Sequence, residues 1–175
     1  FDSVGSAVAS TRDVDDPLTT YLEDHLAGAA AGVSLCESLR DHHRKEVLGG
    51  FASEILVEIE ADRAALEDLV RRVGAEPGGL KEAAALLGEK FSRFKLGRLA
   101  GGELGTFEAL ETLALGILGK KKLWEACAKL APEDPRLQGM DFATLSARAE
   151  EQHRRVEQKR LEAARTALRG PEKRS

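Results

Sequence analysis

Residues 141–163, DFATLSARAEEQHRRVEQKRLEA, carry Phe142, Leu145, Ala149, Val156 and Ala163 at helical spacing among charged residues. One apolar face and one wet face make an amphipathic helix. Asp141 is suited to cap its start, and Gly170-Pro171 breaks it after about Arg169. On this helix Glu150 and His153 stand three residues apart. Residues at i and i+3 project from the same face, so a carboxylate and an imidazole can reach one metal ion without bending the backbone. A Glu-x-x-His step in a helical bundle is half of a di-iron site.

Three more long helices are expected upstream. Asp16-Pro17 reads as an N-cap followed by proline at the first helical position, where its missing N–H costs nothing. From there Leu18, Leu22, His25, Ala29, Gly32 and Cys36 trace one stripe, widened by Leu26 and Val33, and the helix should end near His43. After a short break at Arg44 and Lys45, a second helix over about 46–73 must return antiparallel. Its stripe is Leu48, Phe51, Ile55, Ile59, Asp62, Leu66, Leu69 and Val73, with Gly74 as C-cap. Residues 75–102 hold Pro77-Gly78-Gly79, a short amphipathic helix over about Leu80–Phe94, and Gly97, Gly101 and Gly102. A connection of that length can travel the full height of a bundle. The third helix, about 103–130, is apolar on two faces, through Leu104, Phe107, Ala114 and Leu118 and through Leu110, Leu113, Ile117 and Trp124. It should therefore be the most buried of the four. Residues 1–16 read as a flexible tail, 17–169 as one bundle domain and 170–175 as a C-terminal tail.

Composition agrees with an all-α chain: 175 residues are 32% charged and 42% hydrophobic, with few aromatics. A net charge of -4 offers no concentrated positive surface for nucleic acid. The locally basic Lys120-Lys121-Lys122 and the arginines from Arg154 to Arg174 read as helix-end complementarity and solubility. Cys36 and Cys127, each inside a helical pattern, read as buried, reduced thiols, which suits the cytoplasm. No apolar run of about 18 residues is present, so no membrane span is expected. The first residue is Phe1, which leaves a removed leader open. No serine has a histidine and an acid at recognisable spacing, and no Gly-rich loop precedes a helix, so hydrolase and nucleotide-binding readings are poor.

The carboxylates on these stripes are the anomaly. Asp62 and Glu111 occupy core positions by periodicity, with Glu58 and Glu108 beside them, and an ionised group removed from water needs a partner. Two arrangements satisfy them. In one, Glu58, Asp62, Glu111, Glu150 and His153 converge on metal, with His25 or Glu157 in support. In the other, Glu58, Asp62 and Glu111 pair with His25 or with arginines such as Arg148 or Arg155, while Glu150, His153 and Glu157 form a solvated ladder. His42 and His43 read as end-cap residues of the first helix.

With four helices in two antiparallel pairs, a long second-to-third crossover and inward acids, residues 17–169 resemble the ferritin-like superfamily. The resemblance implies a bundle whose di-metal site takes a Glu from each of two helices and a Glu-x-x-His from each of the other two. Glu150 and His153 match the fourth-helix pair, Glu111 or Glu108 the third-helix acid, and Glu58 the second-helix acid. At the i+3 position after Glu58 stands Ala61 where the pattern expects His, and the first helix reads AGAAAGV at its centre. The resemblance thus implies one of two functions. One is a member with a degenerate or absent metal site acting as a structural or interaction protein, not an enzyme. The alternative binds iron or manganese and performs ferroxidase or peroxide-handling chemistry. Gly28 and Gly32 would let a helix approach closely, from the same chain or from a second copy in a homodimer.

Overall fold

The computed structural model describes residues 16–74 and 102–169. The described chain is all-helical: α1 (Pro17–His42), α2 (Val47–Val73), α3 (Gly102–Leu130) and α4 (Phe142–Ala167), with a single 3-10 turn at Pro135–Leu137 before α4. The tails, and the short helix expected over Leu80–Phe94, lie outside the described residues.

The helix ends follow from local chemistry. Asp16 caps α1 by accepting from the Thr19 backbone N–H at 3.3 Å, with Pro17 in the first turn. Asp141 caps α4 in the same way, accepting from the Thr144 N–H at 3.0 Å. Gly74 closes α2 in the left-handed conformation, φ 91°, which glycine adopts without steric cost. Between α1 and α2 the chain turns tightly at His43, and buried Gly49 backs directly onto that turn. A Cβ at Gly49 would lie 2.1 Å from the His43 carbonyl oxygen and 2.7 Å from its carbonyl carbon. Because the obstacle is backbone, Gly49→Ala should cost about 1–3 kcal/mol, seen as a lower midpoint in urea. An unchanged midpoint would mean that the turn yields freely.

α1 packs with α2 and α3 packs with α4; the pairs join through α1 on α3 and α2 on α4. Polar contacts give the directions. A His43 ring nitrogen lies 2.9 Å from Thr106 Oγ1, which brings the α1–α2 turn beside the start of α3. At the other end Arg136 donates to Asp16 at 2.7 Å, and Arg72 to the Gln138 carbonyl at 3.4 Å. α1 and α4 therefore run one way and α2 and α3 the other, with Gly74 and Gly102 at opposite ends of the bundle.

The core runs through Leu22, Leu35, Ile55, Leu69, Leu110, Leu123, Trp124, Leu137 and Val156, all fully buried. The expectation that α3 is the most buried helix is corrected: α2 and α3 each bury ten residues, and Leu104 on α3 is 50% exposed. The buried line on α3 is Leu110, Leu113, Ile117 and Trp124; of the other stripe Phe107 and Ala114 are also buried, and Leu104 falls towards the flank. Both cysteines are buried and free, and burial pushes the Cys36 thiol up to about 12 and the Cys127 thiol up to about 11. Since the thiolate is the reactive form, maleimide at pH 8 should label neither residue quickly in folded protein and both in urea. Fast labelling of the native chain would contradict this packing.

Candidate functional site

Asp62 is the one carboxylate among the described residues that reaches the interior, at 1% exposure. It sits on α2 between Ile59 and Leu66, at a position the apolar spacing assigns to the core. Two cations meet it, Lys120 from α3 and Arg148 from α4, each in an ion pair. Gln152 of α4, fully buried, donates its amide to Asp62 at 3.0 Å and accepts from Lys120 Nζ at 2.6 Å. Three helices thus close around one charge cluster. Burial is the main influence on the Lys120 ammonium and holds its pKa below the usual lysine value, with the Asp62 carboxylate pulling the other way.

The remaining sequence candidates lie apart from this cluster, His25 on α1 and the others along the α3–α4 and α2–α4 seams. Glu58 accepts from Arg155 at 2.6 Å, with the Arg155 guanidinium also 5.8 Å over the Phe51 ring. Glu111, 49% exposed, accepts from Arg160 at 3.2 Å. Glu150, 58% exposed, is paired with Lys121, whose ammonium holds its carboxyl below the usual range. Glu157 is likewise held low by its 2.6 Å bond from Arg160. Glu108 is exposed, and His153 is half-buried, with a minor lowering influence on the Glu150 and Glu157 carboxyls. His25 is half-buried on α1, edge-on to Tyr21 with ring centroids 4.7 Å apart, and burial lowers its pKa. The cause of this scatter is helical phase. On α4 the inward line is Leu145, Ala149, Gln152 and Val156, and Glu150 lies one residue, roughly 100°, further round. On α3 Glu111 stands in the same relation to Leu110.

The donor set consequently does not fit a di-metal centre. Among the described residues no group of three or more His, Cys, Asp or Glu could hold a metal ion. Four of the acids have a cationic neighbour instead: Lys120 and Arg148 at Asp62, Arg155 at Glu58, Arg160 at Glu111 and Lys121 at Glu150.

Lys120 and Gln152 are the site residues that the sequence reading missed. Their signal was present as spacing. Ile59-Asp62-Leu66, Ile117-Lys120-Trp124 and Ala149-Gln152-Val156 all place a polar residue three after one core residue and four before the next. Reading Lys120 as part of a surface run is corrected by its position against buried Asp62.

Beside this cluster a cleft of about 810 Å³ opens between α1 and α3, with α2 as its floor. Gly28 and Gly32 of α1 and Gly116 and Gly119 of α3 line it, and a Cβ at Gly28, Gly116 or Gly119 would meet nothing within 4 Å. These helices are apolar here but carry too little side chain to fill the space. Asp62 and Lys120 lie in the floor and wall, and Trp124 lines the same face. The Trp124 indole Nε1 and Arg148 Nε are buried without a hydrogen-bond partner.

No helix among the described residues is long and apolar enough to cross a membrane. No protein-family model, curated protein or solved structure matches the chain.

Proposed function

We propose that this protein is a ferritin-like bundle in which an internal salt-bridge cluster stands in place of a di-metal centre, and that it works as a structural or interaction protein, not as a redox enzyme. The observation that carries this reading is the pairing of buried Asp62 with both Lys120 and Arg148. A di-metal site concentrates carboxylates so that cationic metal can neutralise them. Here the protein's own cations do so, and the two other helices adjoining Asp62 in the cluster supply Lys120, Arg148 and Gln152. The Lys120 ammonium and the Arg148 guanidinium repel a metal dication, and with the Gln152 amide they occupy three of the roughly four lone-pair sites of the Asp62 carboxylate. The alternative, iron or manganese held by Glu58, Asp62, Glu111, Glu150 and His153, would require the Arg155, Arg160 and Lys121 pairs to open.

Elemental analysis of protein purified without chelator tests the proposal. Iron and manganese far below one equivalent are expected, with a melting temperature unmoved by adding either ion. Near-stoichiometric metal that is lost in the Glu58→Ala/His153→Ala double variant would overturn it.

A further inference from the structure

We propose that Lys120 captures a medium-chain aliphatic aldehyde as an imine, with the hydrocarbon tail lying in the cleft between α1 and α3. The cleft's size, about 810 Å³, falls in the range of roughly 300–1,000 Å³ used by small-molecule sites, which pair apolar walls with a few placed polar groups. Its charged lining residues balance, Asp24 and Asp62 against Arg63 and Lys120, so the occupant they suit is uncharged. Leu35, Ile59, Leu113 and Ile117 supply apolar walls, and the glycines of α1 and α3 leave room beside them. From Lys120 back to Thr112, also a lining residue, α3 rises about 12 Å, a length suited to an extended alkyl chain.

The partners of Lys120 decide the chemistry. Among the described lining residues it is the one amine, and its side chain is 14% exposed. Its Nζ meets two acceptors, the Asp62 carboxylate and the Gln152 amide oxygen, the latter at 2.6 Å. An ammonium carries three donors, whereas an amine carries two and a lone pair. Two acceptors therefore satisfy the amine in full and leave one ammonium proton unmatched. Burial acts in the same sense, holding the Lys120 pKa below the usual lysine value, and a lysine desolvated in an apolar pocket is an activated nucleophile towards carbonyl carbon. Loss of that proton does not strand Asp62, because Arg148 pairs with its other oxygen. The step is a condensation. The Lys120 nitrogen attacks the aldehyde carbon, a C–N bond forms, and the carbonyl oxygen leaves as water with two of the three ammonium protons. The third proton stays on the iminium nitrogen, so a cation still stands beside Asp62, and nothing is oxidised or reduced.

This capture goes beyond a structural role for the bundle and is tested independently of metal content. The full chain is incubated with decanal, reduced with cyanoborohydride and mapped by peptide mass spectrometry. Lys120 should carry most of the label, ahead of Lys122, whose side chain is 63% exposed. The labelling rate at Lys120 should also level off at a lower pH than that of a free lysine derivative, because burial holds its pKa down. The Gly28→Leu/Gly116→Leu variant fills the cleft from two sides, where a Cβ meets nothing within 4 Å, and leucine favours helix more than glycine does. It should melt no lower than the parent and lose the label at Lys120 while its surface lysines still react. Label on the surface lysines with Lys120 unmodified would overturn the proposal. So would a Lys120 label undiminished in the double leucine variant, or a pH profile that coincides with that of the free lysine derivative.

Discussion

Asp62→Ala should destabilise the bundle by about 3–5 kcal/mol, the usual loss when one partner of a buried ion pair is removed. The carboxylate is 1% exposed and serves two cations and an amide at once. Without it, Lys120 faces Arg148 across a space with no anion, and Gln152 loses an acceptor. The cost is electrostatic more than volumetric, and a companion variant shows this. Replacing the three charges together, Asp62→Leu with Lys120→Met and Arg148→Met, should restore most of the loss or exceed the parent, because each ion's desolvation penalty disappears with its charge. Urea unfolding of both variants gives the comparison. If Asp62→Ala unfolds within about 1 kcal/mol of the parent, the range of a surface ion pair, then the cluster is solvated and the proposal for its role is lost.

Trp124→Ala should cost a similar amount, about 3–5 kcal/mol, through the cavity it leaves. The indole is fully buried and packs on Phe142, with ring centroids 6.2 Å apart, so it ties the last turns of α3 to the start of α4. Trp124→Phe separates its two properties. Phenylalanine keeps most of the packing and removes the buried N–H that has no acceptor, a group whose desolvation costs about 1–3 kcal/mol. The phenylalanine variant should therefore lose far less than the ring-size change alone would suggest. A loss as large as that of alanine would mean that the N–H is satisfied in solution.

Much of the architecture was legible in the chain. The Asp16-Pro17 and Asp141 caps, the break after His43 and the Gly74 terminus are written in residues whose local chemistry leaves few choices, and the structure places helix ends at each of them. The α2 stripe was also readable, Asp62 included, because a long regular helix repeats its inward face every three or four residues. The α3 stripe was less so. Its two apolar faces compete, and the sequence reading put Glu111 on the inner one, where only the contact with α4 could show it to be outside.

The sequence alone determined that there are four long helices, where each described one begins and ends, and that a charge on α2 must be held inside; these are properties of single helices, set by capping, spacing and burial within one segment. The tertiary structure decided which cations come to Asp62, that Glu150 and Glu111 miss the centre, and that glycines on α1 and α3 line a cleft between those helices that their own side chains do not fill. Those outcomes depend on the rotation and height of one helix against another. A shift of one residue turns a side chain by roughly 100°, enough to exchange a metal ligand for a surface ion pair.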